Sequence, residues 1–326
     1  MKTSANVSAI DAALDVLQEA GVPLHYQEIT KRVLAAGLWQ TGCKTPAATI
    51  NARTARKAFF YLLVAFSVLV AGLGYAAPTI KTPPAAGGQS LSEQATDPTA
   101  PLMAFYLADW YTPAFHHGDS ADRMNMLMVR PVIPIPATEL LPFSQIARLT
   151  VPYVTDSPSG SGSADVLLFD LAMMDAPGLS GRIGVGPVLS FPTADPDILG
   201  SGKYSAGPAL GLVSQLGKFQ LGLLVQNLFS FAGDDDRSAV SQTMIQPIVN
   251  YSLPEGWHVG TGNMIFTMDW NENKFTSIPL VFNLGKVVKL GSIPVNIALE
   301  PEYNLYRDGL SAEWTVRFSM TLLFPE

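Results

Sequence analysis

Cysteine is almost missing from this chain. The single thiol, Cys43, excludes a disulfide framework and any metal site built on several thiolates. Charge is thin as well: Lys, Arg, Asp and Glu make up 14% of the 326 residues, where ordinary soluble domains carry about 25%. With a mean hydropathy of +0.23, that shortage argues against disorder and against a typical cytosolic enzyme. Glycine and proline number 27 and 25, too few for a collagen or a low-complexity chain. Beyond residue 77 no run of about twenty apolar residues occurs, which excludes a bundle of membrane helices from the larger part of the chain.

What charge there is divides unevenly. Residues 1–57 carry a net +3 and the remainder a net −10, for −7 overall. A small basic head on a large acidic body points to two units with different partners.

The head reads as three short helices. Ser8 is placed to cap a first helix with Ile10, Ala13, Leu14 and Leu17 on one face, closed by Gly21 and Pro23. A second runs from about Tyr26, buries Ile29, Val33 and Leu34, and ends at Gly37. Thr45-Pro46 opens a third, with threonine as the cap and proline at the first helical position. His25 and Trp39 read as packing residues and Cys43 as a loop thiol. The stretches Ala9-Ile10-Asp11-Ala12-Ala13-Leu14, Gly21-Val22-Pro23-Leu24-His25-Tyr26-Gln27-Glu28-Ile29, Gly37-Leu38-Trp39 and Lys44-Thr45-Pro46-Ala47-Ala48-Thr49-Ile50-Asn51-Ala52 resemble the HARE-type helix-turn-helix, truncated before its wing, over residues 1–55. That resemblance implies DNA binding. Lys44 and Arg53 would then neutralise phosphates, whereas Arg56 and Lys57 read better as membrane-flanking charges.

Residues 56–77 follow as a signal peptide or membrane helix. Arg53, Arg56 and Lys57 precede twenty uncharged residues, and Gly74-Tyr75-Ala76 supplies small residues for cleavage between Ala76 and Ala77. Twenty apolar residues also suffice to span a bilayer. A signal this far into the chain makes the head a fused or mis-started portion, or a cytoplasmic remnant left after cleavage. Residues 78–101, rich in Pro, Gly, Ser and Gln, read as a linker.

From residue 102 the period changes to two. Trp314, Val316, Phe318, Met320, Leu322 and Phe324 alternate with Thr315, Arg317, Ser319 and Thr321. Ile293, Val295, Ile297, Leu299 and Tyr303 oppose Asn296, Ala298, Glu300, Glu302 and Asn304, and Phe219, Leu221, Leu223 and Val225 oppose Gln220 and Gln226. In an outer-membrane barrel such alternation is inverted, apolar toward lipid and polar toward the lumen. The scarcity of charge, the export signal and strands of about ten residues favour that inversion. The prediction for 102–326 is therefore an all-β, antiparallel transmembrane barrel of about twelve strands, at 102–112, 125–134, 146–155, 164–173, 182–191, 204–215, 219–231, 240–253, 257–269, 277–288, 293–305 and 313–324. Very short connections at 216–218, 254–256 and 289–292 alternate with longer polar ones. Short turns belong at the periplasmic end and long loops outside.

Gly200-Ser201-Gly202-Lys203-Tyr204-Ser205-Ala206-Gly207-Pro208, Phe231-Ala232-Gly233-Asp234-Asp235-Asp236-Arg237, Gln246-Pro247, Asn250-Tyr251-Ser252-Leu253-Pro254-Glu255-Gly256-Trp257, Pro294-Val295-Asn296 and the close Trp314-Thr315-Val316-Arg317-Phe318 resemble a second family. It comprises the outer-membrane barrels grouped with the MetA-pathway phenol-degradation proteins, some labelled "neuromedin U", and the likeness covers about residues 125–326. It implies a porin-like channel or transporter for small compounds, aromatic or hydrophobic ones included, in a Gram-negative outer membrane. Its partners would be the lipid bilayer, the solutes and the barrel-assembly machinery, with nucleic acid added only if the head works. The competing reading is a membrane-tethered HARE-type DNA-binding regulator.

Individual residues sort accordingly. Gly200 and Lys203 lack the spacing of a phosphate loop, since Asp197 stands where its first glycine belongs and Tyr204 replaces Ser/Thr. Asp234, Asp235 and Asp236 lack the glycine and distal glutamate of a Ca²⁺ loop, so with Arg237 they read as an external loop tip. His116, His117 and His258 form no metal or hydrolase constellation, and neither metal, cofactor nor catalysis is expected. Glu300, Glu302, Arg317, Gln220 and Gln226 are the expected lumen residues, with the charges pairing across adjacent strands.

Overall fold

The computed structural model describes Val16 and residues 26–36, 90–119, 122–139, 142–176, 178, 180–309 and 311–325. The chain divides into two compact units, Met1–Phe66 and Ser67–Glu326. In the first, α1 (Tyr26–Ala35) follows the expected second helix and buries Ile29 and Val33. Leu34, expected inside, is 39% exposed. It falls one residue past the stripe that i, i+4 spacing gives Ile29 and Val33. Arg32 donates to Glu28 at 2.9 Å one turn back, which holds that carboxyl below its ordinary value. The first and third expected helices (apart from Val16), Lys44, Arg53, the apolar run 58–77 and Ala76-Ala77 lie outside the described residues. No described helix is long and apolar enough to cross a membrane, which says nothing of strands.

The second unit is a closed antiparallel barrel of twelve staves. In chain order they are β1 (Met103–Phe115), β2 (Met124–Ile135), β3 (Gln145–Asp156), β4 (Val166–Ala176), β5 (Gly181–Phe191), β6 (Lys203–Leu216), β7 (Phe219–Gly233) and β8 (Ser241–Ser252). Then come β9, in two pieces (Trp257–Gly260 and Phe266–Asp269), and β10, in three (Lys274–Ser277, Pro279–Val281 and Asn283–Leu290). β11 (Ile293–Asn304) and β12 (Ala312–Phe324) complete the wall. Each stave pairs with the next, and β12 pairs back with β1 from Met103↔Phe324 to Phe115↔Ala312. Closure leaves no unpaired sheet edge, the condition for strands to cross hydrocarbon. All twelve fall where the alternation placed them, with ends displaced by a few residues.

The sequence dictates this wall through its two-residue period. In β12 the outward Trp314, Val316 and Phe318 are exposed, while Thr315, Arg317, Ser319, Thr321 and Leu323 are buried. β11 repeats the pattern, with Ile297 and Leu299 outside and Asn296, Glu300, Glu302 and Asn304 inside. A twelve-residue stave at ~3.3 Å per residue, tilted by about 45°, rises roughly 28 Å, close to a hydrocarbon core. Aromatic residues gather toward both rims, Phe219 on Tyr251 and Trp257 under Lys286 at one, Tyr303 on Trp314 and Tyr204 near Phe231 at the other. Such girdles mark membrane interfaces.

β6 and β7 are joined by Gly217-Lys218, and β10 and β11 by Gly291-Ser292. Gly217 and Gly291 have φ of +63° and +65°, the left-handed conformation that two-residue hairpins require. These turns share one rim with Met103 and Phe324. The ends of β2 and β3 that flank their connection, Ile135 and Gln145, lie at that rim too, and theirs is the long exception among its short turns.

Candidate solute pathway

Adjacent staves bring the expected lumen charges together. The β11–β12 register sets Glu300 opposite Arg317 and Glu302 opposite Thr315. Arg317 pairs with Glu302 and lies 3.8 Å from Glu300, all three groups nearly sealed from solvent. Its guanidinium also sits 4.2 Å from the centre of the Trp110 ring. Glu300 accepts further bonds from the Asn283 amide at 2.8 Å and from Asn263, backbone and side chain, at 3.0–3.2 Å. Such partners offset the cost of burying charge, though Arg317 Nε and Nη1 have no hydrogen-bond acceptor among the described residues.

Gln220 and Gln226 also point inward and are buried. Gln220 accepts from Asn250 at 2.9 Å and from Thr96 at 3.0 Å, and donates to the Glu93 carbonyl at 2.9 Å. Glu93 and Thr96 belong to the segment that the sequence suggested was linker. From Ser90 on, that segment is no tether. It forms a six-residue helix, α2 (Leu91–Thr96), whose capping box joins the Ser90 hydroxyl to the Glu93 amide and the Glu93 carboxylate to the Ser90 amide. Asp97 follows, buried, bonded to Thr99 and ion-paired with Arg182 of β5 at 2.7 Å. Ala100 and Leu102 pack with Leu323, Leu91, Ala95, Ala104 and Val287. Residues 90–102 thus plug the lumen at the short-turn rim.

A second obstruction comes from the wall. Between the two pieces of β9, residues 261–265 leave the sheet and reach inward. Asn263 accepts from Arg130 of β2 at 2.8 Å while donating to Glu300 of β11. Gly262 makes the approach feasible: its φ is +48°, and an added Cβ would come within 2.7–2.9 Å of the Glu300 carboxylate. Between the plug and this crosspiece lies a chamber of about 160 Å³, lined among others by Tyr106, Arg130, Arg148 and Asn296.

The other singled-out residues fall elsewhere. Arg237 donates to the carbonyls of Gly200 and Ser201, fastening the 234–237 tip to the start of β6 at Lys203. His116 Nε2 bonds the Asn304 carbonyl at 3.0 Å, its ring edge-on to Tyr303. His258 faces the lumen with 1% exposure, and a Cβ on Gly285 would meet its ring. The interfacial residue is Trp257, since neighbours on a strand face opposite ways. No cluster of metal-ligating groups occurs among the described residues.

Missed by sequence reasoning were the plug, the crosspiece and the lumen residues Arg130, Arg148 and Arg182. Ser90 and Glu93, three apart, were the available sign of the plug. Arg130 and Arg148 are masked because their inward neighbours are apolar, Met126 and Met128 beside Arg130, and Phe169 and Leu171 beside Arg148.

A closed barrel with an apolar exterior and a polar, charge-paired interior defines an outer-membrane type of fold. Comparison with solved structures agrees. An outer membrane channel from Pseudomonas putida F1 is 14% identical, covers 68% of this chain and 94% of its own, and superposes with a TM-score of 0.50. The NanC porin is 10% identical (69% and 100% covered, TM-score 0.45), and outer membrane phospholipase A from Escherichia coli is 10% identical (69% and 92%, TM-score 0.37). Residues 7–62 match the HARE-HTH family, the helix-turn-helix domain described for ASXL and restriction endonuclease proteins. The match runs past residue 55, into the start of the apolar segment. No curated protein is matched.

Proposed function

We propose that the chain is a channel of a Gram-negative outer membrane passing small solutes, aromatic or hydrophobic compounds among them, and that its plug closes the conformation described. The carrying observation is the inversion of faces: Phe318 is 55% exposed on the outside while Arg317 and Ser319 beside it are buried inside. In water that arrangement would expose much of the wall's apolar surface, and lipid would cover most of it. On this reading the short-turn rim is periplasmic, Glu300, Glu302, Arg317, Gln220 and Gln226 are pathway residues, and the barrel-assembly machinery inserts the wall. Residues 56–77 serve as export signal or membrane helix, and a mature form begins near Ala77. The sequence resemblance of about residues 125–326 to the phenol-degradation barrels supports the solute class.

Purified full-length protein in planar bilayers tests the channel. Discrete conductance steps are expected from protein whose gel mobility changes on heating. A silent membrane with protein so verified as folded would overturn the reading.

A second activity is favoured by the match over residues 7–62. The head would bind DNA through phosphate contacts that include Lys44 and Arg53. Retention of duplex DNA that falls steeply with added salt supports it, and no retention at low salt removes it.

A further inference from the structure

We infer that the chamber between plug and crosspiece is a binding site for a small monocarboxylate with an apolar body, gripped by the guanidinium groups of Arg130 and Arg148. The inference deepens the channel reading and rests on it for its purpose.

Both arginines line the chamber. They occupy the inner faces of adjacent staves, and since Val132 pairs with Arg148, Arg130 is its diagonal neighbour. Such residues have Cβ atoms roughly 7–8 Å apart, so two long guanidinium groups can converge on one small ligand. Neither has a carboxylate partner among the described residues. Arg130 gives one bond, to the Asn263 side chain, and its Nε is buried without an acceptor. Arg148 has no hydrogen-bond acceptor among the described residues, its Nε included.

The lumen's carboxylates are committed elsewhere. Asp97 serves Arg182 and Thr99, Glu302 serves Arg317, and Glu300 is shared by Asn263, Asn283 and Arg317. Two neighbouring cations in a confined lumen are costly without an anion between them. Aromatic rings support them without neutralising them. Arg148 lies 4.2 Å from the Phe169 centroid, and Arg130 lies 5.3 Å from both Tyr106 and Trp110. A guanidinium stacked on a ring keeps its N–H fork free at the edge, where it meets a carboxylate in two parallel bonds.

The rest of the lining selects the body of the ligand. Leu102, Ala104 and Val132 form an apolar patch in the same chamber. Glu300 also lines it, so a second negative charge on the ligand would be repelled. A benzoate-sized monoanion satisfies both ends, which a phosphate dianion or a neutral alcohol does not.

Calorimetric titration of the folded full-length protein in detergent tests the site, with sodium benzoate, benzyl alcohol and inorganic phosphate as probes. Saturable benzoate binding is expected, with benzyl alcohol and phosphate at least tenfold weaker. R130Q and R148Q should each weaken benzoate tenfold or more, and R148K, which keeps charge but loses the fork, should fall between. Benzyl alcohol or phosphate matching benzoate, or an R130Q/R148Q double variant with unchanged affinity, would overturn the proposal. Should the variants fail to fold, the three-probe ranking on the unmodified protein still decides. Benzoate binding alongside silent bilayers would remove the channel and leave the site. Conductance without benzoate binding would remove the site and leave the channel.

Discussion

Arg317 concentrates the electrostatics of the wall on one side chain, joining Glu302, Glu300 and the face of Trp110. Removing it strands two buried carboxylates. Arg317→Met should therefore cost about 3–5 kcal/mol, whereas Glu302→Gln, which leaves Arg317 with Glu300, should cost less. Urea titrations of the folded barrel in vesicles would rank the two. One position further, Phe318 faces the opposite way at the middle of its stave, with Trp314 nearer the long-loop rim. Phe318→Arg should cost roughly 2–4 kcal/mol and Trp314→Arg about 0–1, following depth in the bilayer. Equal penalties in the same titrations would mean that β12 does not cross hydrocarbon as described. Alternation made both faces of β12 legible from sequence. What it withheld is how tightly the inside is filled: Thr315 is bonded to Thr112 at 3.0 Å and Ser319 is 3% exposed, so neither position is open to water as a wide pore would leave it.

At the scale of elements, the plug departs furthest from the sequence reading. Six residues are too few for a helical period to register, and α2 sits in a stretch whose prolines and glycines read as linker. Beside the apolar packing on Leu323 and Val287, its hold on the wall includes specific polar bonds, Asp97 with Arg182 and Glu93 with Gln215 and Gln220. Asp97→Asn removes the charge from a buried pair and should loosen the segment selectively. Hydrogen exchange at residues 91–100 should accelerate tenfold or more, with β5 and β7 still protected and bilayer openings more frequent. The crosspiece of β9 was hidden for another reason. Its residues, Thr261-Gly262-Asn263, resemble an ordinary turn, and only the position of Glu300 across the lumen makes them a barrier.

For the whole molecule, twelve staves were readable because each turns one apolar face outward from the barrel, a constraint repeated along the chain. The last staves were the clearest, since Asn296, Glu300, Glu302 and Arg317 contrast sharply with their neighbours. The early ones were blurred where Phe169, Leu171 and Val188 gather into an apolar cluster inside the barrel. There the period of two survives with no polar face to announce it. Some contacts across the lumen, such as Arg130 with Asn263 and Gln220 with Thr96, join residues more than a hundred positions apart and leave no local trace.

The same connectivity orders events in time. The plug, residues 90–102, runs directly into β1 at Met103, while β1 waits some two hundred residues for β12. Pairings of such separation are the slow ones. The stopper is therefore made before the bottle, and the wall can wrap around it, with Leu102 and Leu323 meeting as the final seam is drawn shut. A chain lacking residues 90–100 would have to close over an empty centre with Arg182 unpaired. It should reach the same register but refold several-fold more slowly, as timed by the appearance of the heat-modifiable form. Refolding at the full chain's rate would show that the segment enters a barrel already closed.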